Sequence, residues 1–158
     1  MTQQEARLVK QVDLGDVVEK PAATVVDSIK KRGVLRVGVF ADRLPFVFLN
    51  RERQLVGFDV EMALLLAGDL GVKAEFIEVE DLTELPHLLA SGRLDLAMTG
   101  VAVTPKRAGE ILFSEPYLNE TLAFVVKDQL RGEFSSWATI VDLGAFAVMV
   151  PDSPYYTS

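Results

Sequence analysis

The 158-residue chain has no cysteine, a single histidine and no apolar run approaching the length of a membrane span. Without cysteine there can be no disulfide and no thiolate metal site. With His87 alone, a His-rich metal site is impossible, and a Ser-His-Asp arrangement would have to pass through that one residue. The longest apolar stretches, 62–68 and 145–151, fall far short of the roughly 20 residues that a spanning helix needs. Positive charge is also scarce. Sixteen Lys and Arg against 23 Asp and Glu leave a net charge of −7, which argues against nucleic acid and against adsorption to anionic lipid. Residues 1–20 lack a basic region followed by an apolar one, so no secretory signal is visible.

What is present is ordinary globular usage: 49% hydrophobic and 25% charged residues, enough chain for one domain with a real core. Residues 1–24 read as a tether, dense in charge and interrupted by Pro21. A short amphipathic helix is expected over 24–32, stopped by Gly33, and then a strand over 34–40 rich in β-formers. A second extended piece over 45–49 and a polar turn at 50–54 lead to a helix that Asp59 can cap. Its apolar face is expected at Met62, Leu65, Leu66 and Leu70, and Gly71 ends it. Further strands are expected at 74–79, 94–98, 121–127 and 145–150. A helix over 84–90, capped by Asp81 or Thr83, separates the first two. Another short helix follows Thr104, with Pro105 in its first position. Strands alternating with helices indicate an α/β fold with a mainly parallel central sheet flanked by helices.

Five segments carry a more specific signal in their order. They are Gly33-Val34-Leu35-Arg36-Val37-Gly38 followed by Leu44-Pro45-Phe46; Leu55-Val56-Gly57-Phe58-Asp59-Val60-Glu61-Met62-Ala63; Leu88-Leu89-Ala90-Ser91-Gly92-Arg93-Leu94-Asp95-Leu96; Thr104-Pro105-Lys106-Arg107; and Phe113-Ser114-Glu115-Pro116-Tyr117. From residue 33 to about 127 the chain resembles the bacterial extracellular solute-binding proteins of family 3, the polar-amino-acid receptors of ABC importers. The resemblance implies a periplasmic-binding-protein-like clamshell. Lobe one would span 25–120, a hinge strand 121–127, and 128–158 would be the incomplete start of a truncated second lobe.

The resemblance also nominates a site: Arg107, Thr99, Gly100, Ala102, Phe58, Arg43 and Phe40. Open α/β sheets place ligands beyond the carboxyl ends of their strands, where 99–107 leaves a strand and enters a helix. Free N–H groups and a helix dipole there favour an anion, and the planar fork of Arg107 suits a carboxylate. In the resembled family the matching arginine grips the ligand α-carboxylate. Phe58 reads equally as a core or a pocket residue. Thr104 reads as a helix cap that is also compatible with ligand contact. Ala102 replaces a hydroxyl residue common in the family, which removes one donor. Phe40 and Arg43 stand where amino-acid receptors often place an acid and then an aromatic lid. Arg43 beside Arg107 would favour extra negative charge, such as a dicarboxylate, by Coulomb attraction. Arg43 pointing to solvent is the competing reading, and Asp42, one residue away, would restore an acid if the loop alignment slips.

His87 reads as a surface or partly packed residue, and Glu78, Glu80, Asp81 and Glu84 as a solvated connection. The expected function is therefore non-catalytic recognition of a small carboxylate-bearing solute, an amino acid or dicarboxylate, with no metal and no cofactor. The chain would serve as the binding or sensory domain of a transport system, partnered by a membrane transporter or sensor subunit in the periplasm or another extracytoplasmic setting. Two alternatives accompany it. One is a regulatory or assembly module that has lost ligand binding and forms a homodimer through an open sheet edge. The other is a dehydratase-like enzyme on the same fold. The tether and the missing leader fit a fragment or a fused domain, and half a clamshell is expected to bind weakly.

Overall fold

Local capping sets the first elements. In the computed structural model, which describes residues 6–10, 24–119, 123 and 125–144, Thr24 is extended and its hydroxyl accepts the Asp27 N–H at 3.1 Å. Helix α1 (Val25–Arg32) follows and closes at Gly33, whose φ of +76° suits a residue without Cβ. Strand β2 (Val34–Val39) begins immediately, as its run of β-formers predicts. Two compact units divide the chain, Met1–Ile111 and Leu112–Ser158.

The first unit is built on a four-stranded parallel sheet. Its order is β1 (Leu8–Lys10), β6 (Lys73–Glu78), β2, β7 (Leu96–Ala97). Val37 pairs with Phe76 on one side and with Leu96 on the other, so β2 is central and buried on both faces. One face packs Leu35, Val37, Val39 and Phe76 against Ile29 of α1 and against Val60, Ala63 and Ala67 of α2 (Phe58–Leu70). On the other, Phe40, Ile77 and Val79 meet Leu94 and the Leu85 and Leu88 side chains of α3 (Leu85–Ala90). Gly38 leaves room here for Leu94, which would stand 2.5 Å from an added Cβ. Each fully buried side chain of this size contributes roughly 1.5–3 kcal/mol. Between β2 and α2 the chain makes an antiparallel excursion, β3 (Asp42–Arg43), β4 (Val47–Leu49) and β5 (Leu55–Val56), turned by Asn50 and Gln54. The Leu44–Pro45 peptide is cis.

Three expectations change. The stretch 1–24, read as a tether, contributes β1 at Leu8–Lys10, in register with 76–78. Helix α2 buries Val60, Ala63 and Ala67, whereas Leu65 is 65% exposed, because small residues let the helix approach the sheet closely. Asp59 does not cap α2: the N-cap is Gly57, and the Asp59 carboxylate crosses to Gly100 instead. The remaining elements are α4 (Pro105–Ala108), capped by Thr104, and a 3₁₀ turn at Leu82–Glu84 ahead of α3, capped by Asp81.

In the second unit a 3₁₀ turn at Asp128–Leu130 precedes α5 (Trp137–Asp142), which a reciprocal Ser136–Thr139 capping box starts. None of its described residues is buried. Of the expected hinge strand, 123 and 125–127 carry no strand and the rest lies outside the described residues, as does the strand expected at 145–150.

Candidate functional site

Parallel strands all end on the same side of a sheet, so β2, β6 and β7 deliver Phe40, Val79 and Thr99 to one end of the first unit. Thr99 is 1% exposed, and its hydroxyl accepts the Phe40 N–H at 3.0 Å. It fixes the exits of β2 and β7 to one another, and its side chain offers no surface to a ligand. One residue on, Gly100 turns with φ +60° and donates its N–H to Asp59 Oδ2 at 2.7 Å. The Phe46 ring lies 2.5 Å from where a Gly100 Cβ would stand, so ring and backbone close-pack. Asp59 is fully buried, and its own N–H donates to Phe46 O at 3.0 Å. Three segments far apart in sequence thus meet at Phe46, Asp59 and Gly100. The Gly100 N–H thus already serves Asp59, which leaves its carbonyl as the backbone group of that residue outside this contact.

Arg107 sits on α4. Its N–H donates to Thr104 Oγ1 at 3.3 Å, so Thr104 does act as the cap. The guanidinium donates through Nη1 to Ala102 O at 3.1 Å, which commits one of five N–H donors. Helix α4 is a single turn, so the dipole expected there contributes little. A shallow groove joins Arg107 and Glu110 to Leu85, Pro86, Val101 and Ile111.

The Arg43 guanidinium lies over the Phe40 ring, 5.2 Å from its centroid, within cation–π range. Phe40 is 8% exposed, and Phe58 is 42% exposed and therefore no core residue. Asp42 is exposed while Arg43 is half-buried, in keeping with the alternation of a strand. His87 is exposed on α3. Asp81 is exposed, and its carboxyl is held below the ordinary 3.8 by the Thr83 backbone N–H and then by the Thr83 hydroxyl. Among the described residues no cluster of His, Cys, Asp or Glu could hold a metal, and no helix is long and apolar enough to cross a membrane.

Sequence reasoning nominated Phe40, Arg43, Phe58, Thr99, Gly100, Ala102 and Arg107, and it did not foresee that Asp59 and Phe46 meet Gly100. A carboxylate set between Phe58 and Val60 was the available signal, because an acid flanked by apolar residues needs a buried donor.

Residues 35–137 match the bacterial extracellular solute-binding proteins, family 3. The chain belongs to that family. The parallel sheet flanked by helices is the architecture of its periplasmic-binding-protein-like neighbours. Among curated relatives, cyclohexadienyl dehydratase of Pseudomonas aeruginosa is 33% identical over 129 residues, covering 80% of this chain and 47% of that protein. Membrane-bound lytic murein transglycosylase F of Saccharophagus degradans is 34% identical over 143 residues, 90% of this chain and 27% of that one. The chain thus spans about half the length, or less, of these relatives. A solved structure, the arginine-bound form of domain 1 from TmArgBP of T. maritima, is 36% identical with a TM-score of 0.55, covering 58% of this chain and 71% of that one. The family is one of solute binding outside the cytoplasm, with amino acids among its ligands. Two of the relatives are enzymes, so membership alone does not divide binding from catalysis, and the expectation of no catalysis is narrower than membership supports.

Proposed function

We propose that this chain recognises a small carboxylate-bearing solute, an amino acid or a dicarboxylate, without chemistry, as the binding or sensory domain of an extracytoplasmic transport system. The observation that carries the proposal is Arg107. Its guanidinium is steadied by a single neutral carbonyl at the carboxyl end of the sheet, and no carboxylate of the described residues pairs with it. A guanidinium so held keeps a planar donor fork for a carboxylate. The arginine-bound domain 1 of TmArgBP, a relative of comparable extent, supports binding by one lobe. The solute-exchanging partner is a membrane transporter or sensor subunit.

The test is thermal unfolding of the chain against a panel of amino acids and dicarboxylates, repeated on Arg107→Ala. A true ligand at about 100 times its Kd stabilises by roughly 2.7 kcal/mol. That gain should vanish in the variant, and a ligand that stabilises both proteins equally refutes the site. A second reading, catalysis, is favoured by the identity to cyclohexadienyl dehydratase. Turnover of a cyclohexadienyl acid by the purified chain would establish it. Assembly through the outer strands β1 or β7 is read by light scattering, where a monomer ends that alternative.

A further inference from the structure

We propose that the amino end of the parallel sheet is a docking face for an anionic phospholipid bilayer. Every strand of that sheet has a basic residue at or just ahead of its amino end. In the order β1, β6, β2, β7 these are Arg7, Lys73, Arg32 and Arg93. Neighbouring strands lie about 4.8 Å apart, so the row crosses roughly 15 Å. Lys30 and Lys31 precede Arg32 in the last turn of α1, which feeds β2. Arg7, Lys30, Lys31 and Lys73 are exposed, and no carboxylate of the described residues pairs with them.

The acids of this end do not cancel the row. Asp95 is held by Arg32 and by the Arg36 N–H, and Glu75 is half-buried within β6. Asp69, in the last turn of α2, is exposed. Beyond the opposite, carboxyl ends of β2 and β6 the exposed charges are largely acidic, with Asp42, Glu80, Asp81 and Glu84. The net charge of −7 therefore argues against adsorption only as an average over the chain. The fold sorts the charges to opposite ends of one sheet, so an anionic surface attracts one end and repels the other. The family acts outside the cytoplasm, which sets nucleic acid aside. Cations spread across four strands and a helix end match a plane of headgroups. Docked in this way, the strands stand upright on the bilayer. The six residues of β2 then raise the strand ends at Phe40 and Thr99 about 20 Å toward the aqueous side. The inference is independent of which solute the chain recognises.

Vesicle co-sedimentation of the purified chain tests it. Phosphatidylcholine vesicles with about one-third phosphatidylglycerol are compared with pure phosphatidylcholine, at low and at physiological salt. Partitioning should be at least about tenfold stronger on the anionic vesicles and should fall as salt screens it. Lys31→Gln with Lys73→Gln should weaken it by about fivefold per charge. Lys10→Gln with Lys106→Gln makes the same change in net charge at the carboxyl end and should leave it unchanged. Equal loss in the two variants, equal binding to both vesicle types, or binding to neither overturns the docking face. Binding to soluble polyglutamate with none to vesicles overturns the lipid assignment in favour of an acidic protein. Because the chain has no cysteine, one introduced cysteine reads the orientation. On anionic vesicles a fluorophore on Ser91→Cys, exposed at the amino end, should be shielded from acrylamide, and one on Asp42→Cys should stay accessible. The reverse pattern overturns the proposal.

Discussion

The two ends of the central sheet use arginine differently. At the amino end, Arg32 meets the Asp95 carboxylate and also donates to Val34 O, while Asp95 accepts the Arg36 N–H at 2.7 Å. Both side chains of that ion pair are largely buried, at 13% and 6% exposure. At the carboxyl end, among the described residues, the Arg107 guanidinium has a carbonyl for a partner and Arg43 a ring. A guanidinium matched to an internal carboxylate is committed to the fold. One matched to a neutral group keeps its charge for something that arrives from outside. The difference separates Arg32, committed to the fold, from Arg107 and Arg43. Arg36 shows that burial counts beside the partner, since its guanidinium also donates to a neutral carbonyl, Gly92 O, yet is buried in β2.

Substitutions separate the two ends. Asp95→Ala should have the largest effect on stability, about 3 kcal/mol by chemical denaturation, because it leaves a largely buried guanidinium and a backbone N–H without their acceptor. Any ligand affinity of the folded protein should stay the same. Asp59→Ala tests the division at its weakest point, since this carboxylate bonds to Gly100 beyond the carboxyl end of β7 yet is fully buried. A loss of about 2 kcal/mol is expected from the freed Gly100 N–H, together with weakened binding as the 99–102 segment loses its anchor. If binding survives with stability lost, Asp59 belongs with the amino-end set. Arg107→Ala should change stability by about 0.5 kcal/mol or less and abolish ligand-dependent stabilisation. The smallest effect is at Asp81. Its folded pKa lies below 3.8, so its contribution is present above that value and disappears as pH falls through the lower folded one. An acid titration of Asp81→Asn, followed by circular dichroism, should therefore show a slightly shallower loss of stability below about pH 4 than the parent.

These contrasts also explain what the sequence made legible. Caps at Thr24 and Thr104 and the stop at Gly33 could be read directly, because each acts within three or four residues of itself. The parallel strands β2 and β6 were readable from β-branched runs between glycine stops. Asp59 was misread as a cap because its partner, Gly100, is 41 residues away. The buried face of α2 was misplaced onto large leucines, since a short helix-to-sheet distance favours Ala63 and Ala67 and nothing local encodes that distance. The set Phe40, Arg43, Thr99, Arg107 was visible as a group, but the division of labour within it was not. Thr99 holds Phe40, Thr104 holds the start of α4, Arg107 donates to Ala102 O and Arg43 lies over the Phe40 ring.

One consequence concerns synthesis. Strand β1 occupies the outer edge of the sheet beside β6, although it precedes every other element in the chain. During translation, residues 8–10 leave the ribosome well before 76–78, with which they pair. At about 5–20 residues per second the wait is on the order of seconds, long enough for α1 and the β3–β5 excursion to form from local contacts alone. This edge strand is therefore made well before the strand it pairs with, and for that interval Leu8 and Val9 are open to capture by a chaperone or by a neighbouring nascent chain.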